Sequence, residues 1–124
     1  MYPGIDIIEI SRFDRACKRQ PRLLTRLFTP TELQALKTKD ISSYAARFAG
    51  KEAVLKALGT GLKGLSWQDI EILTDEAGQP QVILSAKAKQ VLQARGGSKI
   101  TVSLAHSKDN AVAIAIMLLE SNNP

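Results

Sequence analysis

The chain has 124 residues, of which 44% are hydrophobic and 23% are charged, and its formal net charge is +5. This length and composition suit one folded domain and exclude a disordered chain, and no stretch approaches the roughly 20 apolar residues of a membrane span. A single cysteine and a single histidine exclude a disulfide framework and a zinc site built mainly from one subunit's thiolates or imidazoles. The start lacks the basic region of a secretory signal, so we expect residues 1–124 to form one cytoplasmic domain.

The first part of the chain predicts one strand and then a broken helix. Alternating apolar residues indicate a strand from Tyr2 to Ile10. Ser11, with an aspartate three residues later, is typical of a helix start, and this helix should run to about Arg19. Pro21 then interrupts it, and a short helical turn follows the proline.

A second helix start and the longest helix come next. The segment Thr29–Glu32 combines a capping threonine, a proline at the first helical position and a glutamate at the third. The helix that it begins should end by Lys39. Apolar residues recur at helical spacing from Ser42 to Leu58, which predicts a long helix, and Gly59 stands just beyond its last turn.

The second half of the chain predicts two hairpins separated by a helix. Its elements are a half-buried strand from Trp67 to Thr74, a turn from Asp75 to Pro80, a short strand from Gln81 to Leu84, an amphipathic helix from Ser85 to Arg95, a strand from Lys99 to Ser107 and an apolar strand from Ala111 to Leu119. Because strands and helices mix without a regular βαβ repeat, we predict an α+β fold. Its mainly antiparallel sheet would carry a long central helix and shorter helices on one face.

The excess positive charge lies in residues 11–28. Six basic residues stand there against one acidic residue, and they are Arg12, Arg15, Lys18, Arg19, Arg22 and Arg26. The arginines recur every three or four residues, so a helix would place them on one face. Such a face attracts nucleic acid, a membrane surface or an acidic protein, but for a run of charge alone a simple solvated face is the preferred explanation. The two aromatic residues of the segment, Phe13 and Phe28, look core-facing, which argues against stacking on single-stranded nucleic acid.

Three charged residues outside this segment suit phosphate chemistry. Glu52 lies on the apolar line of the long helix, where a carboxylate needs a hydrogen bond, an ion pair, a metal or water. An ion pair with Lys56 one turn later and a role as metal ligand or base are equally good explanations. Asp6 interrupts a run of isoleucines in the first strand, where a solvent-facing position is the ordinary explanation. Together the two acids offer the oxygen ligands of Mg²⁺, and with the lysine they form a minimal set for phosphoryl transfer.

Three segments stand in the order and spacing of a known family, and they are GIDIIEISRF, RFAGKEAVLKALGTG and ITVSLAHSKDNAVAIAI. Through them the chain resembles the holo-[acyl-carrier-protein] synthases, the small bacterial 4′-phosphopantetheinyl transferases. The resemblance implies the fold of that family and a homotrimer with active sites at subunit interfaces. It also implies a Mg²⁺-dependent transfer of 4′-phosphopantetheine from coenzyme A to a serine of apo acyl carrier protein in fatty acid biosynthesis. Adenosine 3′,5′-bisphosphate would be released.

The resemblance also implies a role for each matching residue. Asp6 and Glu52 would hold the metal, and Lys56 would contact the phosphate that is attacked or that leaves. Glu52, Asp6 or a metal-bound water would help to remove the serine proton. The residues implied to contact coenzyme A are Arg47, Lys51, Lys56, Gly59, Thr60, Gly61, His106 and Ser107, with the turn from Gly78 to Pro80 beside the adenine.

The same resemblance implies a partner for the basic residues, because the family docks its strongly acidic carrier proteins on the first helix. Arg12 is the best match to the family's arginine, and the helpers would be Arg15, Lys18, Arg19, Arg22 and Arg26. A small nucleic-acid-binding module is the alternative; it would explain the charge but neither Glu52 nor Asp6. An assembly subunit that has lost catalysis is a third hypothesis, and the retained acids and lysine argue against it.

Overall fold

Five strands and five helices make up residues 1–121, the part of the chain that the computed structural model describes. The elements are β1 (Tyr2–Glu9), α1 (Ile10–Arg19), α2 (Leu23–Leu27), α3 (Pro30–Leu36), α4 (Ile41–Leu58), β2 (Ile70–Thr74), β3 (Pro80–Leu84), α5 (Ala86–Ala94), β4 (Gly97–His106) and β5 (Asn110–Leu119). The last three residues of the predicted domain, 122–124, lie outside the described residues. The predicted α+β class with antiparallel strands is confirmed.

The strands form two antiparallel sheets, one of three strands in the order β1-β5-β4 and one of β2 and β3. Helix α4 packs between them at very close range. A Cβ on Gly4 would collide with the carbonyl oxygen of Ala53 in α4. A Cβ on Gly50 would lie 2.7 Å from Ile72 Cδ1 and 2.9 Å from Leu104 Cδ2. Glycine at these two positions therefore lets β1, β2 and β4 approach the same helix.

Local signals placed most helix ends correctly. The predicted capping box of α3 is present, since the Thr29 hydroxyl accepts the Glu32 N–H and the Glu32 carboxylate accepts the Thr29 N–H. Gly59 ends α4 with a φ of 78°, in the left-handed region that glycine tolerates. The start of α1 differs from the prediction. This helix begins at Ile10, and the Ser11 hydroxyl bonds to Glu9 Oε1 at 3.2 Å instead of capping.

The segment before β2 is a 3₁₀ turn and not a strand. We predicted a strand from Trp67, but residues 67–69 turn and β2 begins at Ile70. The cause is Asp69, whose carboxylate accepts the Ser66 N–H at 2.7 Å and closes the turn. Its other oxygen accepts the Ser85 hydroxyl at 2.7 Å, which attaches the turn to the start of α5.

The face of the three-stranded sheet opposite α4 is apolar and uncovered in the single chain. Ile5 and Ile7 are 61% and 66% exposed, and Ile114, which pairs with Ile5, is 42% exposed. The alternation that we predicted in β1 is confirmed, but the isoleucines face outward and Asp6 lies on the α4 side. The alternative of a solvent-facing Asp6 is therefore wrong. Within residues 1–121, no helix is long and apolar enough to cross a membrane.

Candidate active site

The packing of β1 on α4 brings Asp6 and Lys56 into contact. The Lys56 ammonium lies 3.0 Å from Asp6 Oδ1 and donates to the Ile5 carbonyl at 3.0 Å. Asp6 is largely covered, with 14% of its side chain exposed, whereas the lysine side chain is 54% exposed. The lysine is thus anchored at the strand and still reaches solvent.

The second oxygen of Asp6 has no partner. Asp6 Oδ2 is buried and accepts no hydrogen bond from the described residues. Glu52 stands one helical turn before Lys56, and its pKa is raised by burial first and by the Asp6 charge second, with Lys56 opposing. Two carboxylates, one with an unsatisfied oxygen, are what a divalent cation would neutralise.

These donors fit Mg²⁺. The ion commonly takes one or two protein carboxylates and completes its shell with water and substrate phosphates. Within the described residues, no group of three or more His, Cys, Asp or Glu side chains could form a metal site made by protein alone. Asp6 and Glu52 would therefore hold the ion only in part, which suits a metal shared with a phosphorylated substrate.

Two cavities meet at Glu52 and Trp67. One, of about 530 Å³, is lined by Lys56, Gly59 and Gly61 and by Leu55 and Leu62. The other, of about 760 Å³, runs between β1, α1, α2 and α4, and its lining includes Arg12, Phe13, Leu23, Arg26, Leu27 and Phe48. Glu52 and Trp67 border both cavities. A substrate in the first cavity and a substrate in the second would thus meet at the Glu52 carboxylate.

Lys51 is not on a cleft surface. Its side chain is fully buried, and its ammonium lies 2.6 Å from Glu32 Oε1. It also donates to the Trp67 carbonyl at 3.1 Å and lies 5.2 Å from the centre of the Phe28 ring. Burial lowers the pKa of Lys51, and Glu32 opposes this shift. The resemblance implied that Lys51 contacts coenzyme A. Because no part of the side chain is accessible, this prediction is wrong, and Lys51 lies in the core.

A second group of predicted residues lies beside β2 and the end of β4. Arg47 donates to the Ile72 carbonyl at 2.7 Å and to Thr74 Oγ1 at 2.6 Å. It lines a cavity of about 170 Å³ with His106, at the end of β4. Ser107 follows in the turn, where its N–H donates to the Asn110 carbonyl at 2.8 Å. Since β1 and β4 are opposite edges of the three-stranded sheet, β5 separates His106 from Asp6.

The predicted glycine turns adopt the conformations that need glycine. Gly61, beside the cavity of Lys56, has a φ of 58°, and Gly78 has a φ of 86° in the β2–β3 turn. Thr60, between the glycines, is partly exposed. Pro80 lines a separate cavity of about 660 Å³ between β3 and β4. The turn therefore lies away from Asp6 within one chain.

The predicted basic residues form an exposed surface on α1 and α2. All six are exposed, and within residues 1–121 only Lys18 pairs, with Asp14 at 3.0 Å. Arg12 and Arg26 reach the rim of the 760 Å³ cavity. Phe13 and Phe28 are buried, as predicted, so this surface offers no stacking platform from them. We call Arg12, Arg15, Arg19, Arg22, Arg26 and Lys18 the basic surface.

Two residues that border or support the site were not predicted. Trp67 was assigned only to a strand, and Glu32 only to a helix cap. Trp67 is the single tryptophan and lies in a turn that a serine and an aspartate close. These two features could have identified it as a candidate site residue. No sequence pattern around Glu32 predicts its contact with Lys51, because the two residues are far apart in the chain.

The chain has clear relatives. The sequence model of the 4′-phosphopantetheinyl transferase superfamily matches residues 2–116. The holo-[acyl-carrier-protein] synthase of Moorella thermoacetica is 53% identical over 121 residues, covering 96% of this chain and 93% of that protein. The structure of Helicobacter pylori holo-[acyl-carrier-protein] synthase in complex with coenzyme A has a TM-score of 0.82 at 34% identity, covering 93% of this chain and 98% of that one. The Neisseria meningitidis holo-[acyl-carrier-protein] synthase has a TM-score of 0.87 at 31% identity, covering 94% and 96%.

Proposed function

The chain belongs to the 4′-phosphopantetheinyl transferase superfamily, and from this premise we propose that it transfers 4′-phosphopantetheine from coenzyme A to a serine of apo acyl carrier protein. The observation that carries the proposal is the contact of Asp6 with Lys56 beside Glu52, with one Asp6 oxygen left unsatisfied. Of these residues, Glu52 borders both cavities and Lys56 lines one of them, which suits a reaction between two substrates.

The reaction joins the serine oxygen to the phosphorus that carries pantetheine. The bond from that phosphorus to the bridging oxygen breaks, and adenosine 3′,5′-bisphosphate leaves. Phosphoryl transfer depends mainly on positioning and charge neutralisation. When bound by Asp6 and Glu52, Mg²⁺ would supply positive charge at the pyrophosphate.

Lys56 would supply the second positive charge at the phosphates. Its ammonium is held by the Ile5 carbonyl and Asp6, so little rearrangement is needed before it contacts a phosphate oxygen. It can neutralise the leaving group or protonate it. The serine proton would pass to the carboxylate of Glu52 or Asp6.

The carrier protein would dock on the basic surface and the 760 Å³ cavity. The rim of this cavity is basic at Arg12 and Arg26, and its walls are apolar at Phe13, Leu27 and Phe48. An acidic partner with an apolar side chain near its serine matches both properties. Charged groups at such a rim chiefly raise the association rate.

The nucleotide end of coenzyme A would use the second group of residues. Arg47 and His106 line one cavity, with Ser107 next in the chain, and the uncovered isoleucines of β1 and β5 offer a surface for a second copy. We propose a homotrimer in which one protomer contributes Asp6, Glu52 and Lys56 and its neighbour contributes the phosphate contacts. Light scattering on the purified chain tests the trimer.

We also propose the domain organisation, the pathway and the cellular location of this protein from its family. Residues 1–124 would form a single domain, supported by the family match over residues 2–116. We place the reaction in fatty acid biosynthesis, in the cytoplasm, because that is where the resemblance puts it.

The decisive experiment is intact-mass spectrometry of an apo acyl carrier protein after incubation with this protein, coenzyme A and Mg²⁺. We expect a mass gain of one phosphopantetheine, abolished by a chelator and restored by added Mg²⁺. Because carrier proteins differ, several are tested in parallel. A folded protein that binds coenzyme A but modifies none of them would contradict the proposal.

A further inference from the structure

The buried Lys51 has no part in the chemistry described above, yet it precedes Glu52 in the chain. Its ammonium makes two close contacts, one with Glu32 Oε1 at 2.6 Å and one with the Trp67 carbonyl at 3.1 Å. The side chain is entirely covered. An ammonium in such a place needs a compensating charge, which Glu32 provides.

Every oxygen of Glu32 is used as well. Oε1 accepts the Thr29 N–H at 2.9 Å in addition to Lys51, and Oε2 accepts the Ile72 N–H at 2.9 Å. The pair therefore joins α3, α4, β2 and the 3₁₀ turn through one polar cluster. We call Glu32 and Lys51 the buried pair.

The group that the buried pair holds is the backbone of Trp67. The Trp67 ring lies 5.0 Å from the Phe48 ring, which in turn lies 5.6 Å from the Phe13 ring. Trp67 and Glu52 are the two residues that border both large cavities. A shift of the Trp67 backbone would thus change the wall that the 530 Å³ cavity and the 760 Å³ cavity share.

We propose that Lys51 is a positioning residue that fixes this shared wall by holding the Trp67 carbonyl. Stability alone is a weak reason for a charged pair here, because a buried ion pair is often no better than an apolar replacement. The hydrogen bond from Lys51 to the Trp67 carbonyl, at the boundary of the site, gives the charged pair a role beyond stability. The consequence for substrate binding rests on the proposed function; the position of Trp67 does not.

The test uses the single tryptophan of the chain as its own reporter. Lys51→Met removes the ammonium, and the double variant Glu32→Gln with Lys51→Met removes it without leaving a buried unpaired carboxylate. In either variant that is folded by circular dichroism, we expect Trp67 emission to shift to the red and acrylamide quenching to rise at least twofold. Met117→Ala, a cavity-forming change on β5, is the control for general loss of stability and should leave both signals unchanged.

Kinetics separate positioning from chemistry. In the same variants we expect KM for coenzyme A to rise at least fivefold while kcat changes less than threefold. Unchanged Trp67 emission, quenching and KM in a folded variant would overturn the proposal. If the wild-type protein modified no carrier protein, the proposed function would fail, and the emission and quenching results would still decide whether Lys51 holds Trp67.

Discussion

Helix α4 carries two charged clusters that use the same residue types and differ in completeness. In the buried pair, each carboxylate oxygen of Glu32 has a donor, and the Lys51 ammonium has two acceptors. In the cluster of Asp6, Glu52 and Lys56, one oxygen of Asp6 has no donor among the described residues, and the lysine reaches solvent. A closed cluster fixes the structure around it, whereas an incomplete cluster leaves an acceptor that a ligand could satisfy.

The largest expected difference between the clusters is in stability. Glu32→Gln leaves a buried ammonium without its counter-charge, so we expect the free energy of unfolding to fall by about 3–5 kcal/mol. Asp6→Asn removes a carboxylate from the incomplete cluster, where the partner lysine is half exposed. This substitution should change the free energy of unfolding by less than about 1 kcal/mol. Urea denaturation of both variants checks this. Equal losses of unfolding free energy in the two variants would contradict the difference in completeness between the two clusters.

The second difference is in activity. Glu52→Gln keeps the shape of the side chain but removes a charge from the proposed metal site, so we expect kcat/KM to fall about 10²–10³-fold, as for loss of a group that stabilises transition-state charge. Unfolding should be unchanged or slightly less favourable, because repulsion from Asp6 is relieved. Glu120→Gln, an exposed carboxylate beyond β5, is the matched control and should keep full activity. A Glu52→Gln enzyme with normal kcat/KM would remove Glu52 from the site.

The basic surface extends the comparison to Arg12 and Arg26, which form no ion pair within residues 1–121. Arg12→Glu combined with Arg26→Glu should lower kcat/KM for the carrier protein about tenfold at low salt, and by less as salt rises, since rim charges act through screened attraction. The KM for coenzyme A should stay the same. Lys37→Glu combined with Lys39→Glu, an equal charge change just beyond α3, should have little effect. A loss that is independent of salt would argue against electrostatic docking.

The sequence predicted those parts of the molecule that local signals determine. The capping box of α3, the glycine end of α4 and the β4–β5 hairpin depend on residues near one another in the chain, and each was confirmed. The resemblance named Asp6, Glu52 and Lys56, and the structure brings these residues together.

Long-range packing explains what the sequence did not predict. Lys51 and Lys56 flank Glu52 and look alike in sequence, yet one faces Glu32 from α3 and the other faces β1. Which side each lysine takes depends on elements 19 and 50 residues away. The same holds for Asp6, whose inward direction follows from the close approach of Gly4 to α4.

The smallest expected effect tests a carboxylate that is fully bonded but only partly buried. Asp69 accepts hydrogen bonds from the Ser66 N–H and the Ser85 hydroxyl, which lower its pKa below the ordinary value. A lowered pKa in the folded state contributes stability above the unfolded pKa, and this contribution is lost as pH falls through the folded value. Asp69→Asn should therefore cost about 1 kcal/mol near pH 7, as the loss of a capping carboxylate does, and less at an acidic pH below the ordinary aspartate pKa of about 3.9. Thermal unfolding at both pH values measures the difference, with Glu76→Gln in the exposed β2–β3 turn as a control that should show no such dependence. A cost that stayed constant down to low pH would mean that the exchange of an acceptor oxygen for an amide NH2, and not the loss of the carboxylate charge, disturbs the turn that contains Trp67.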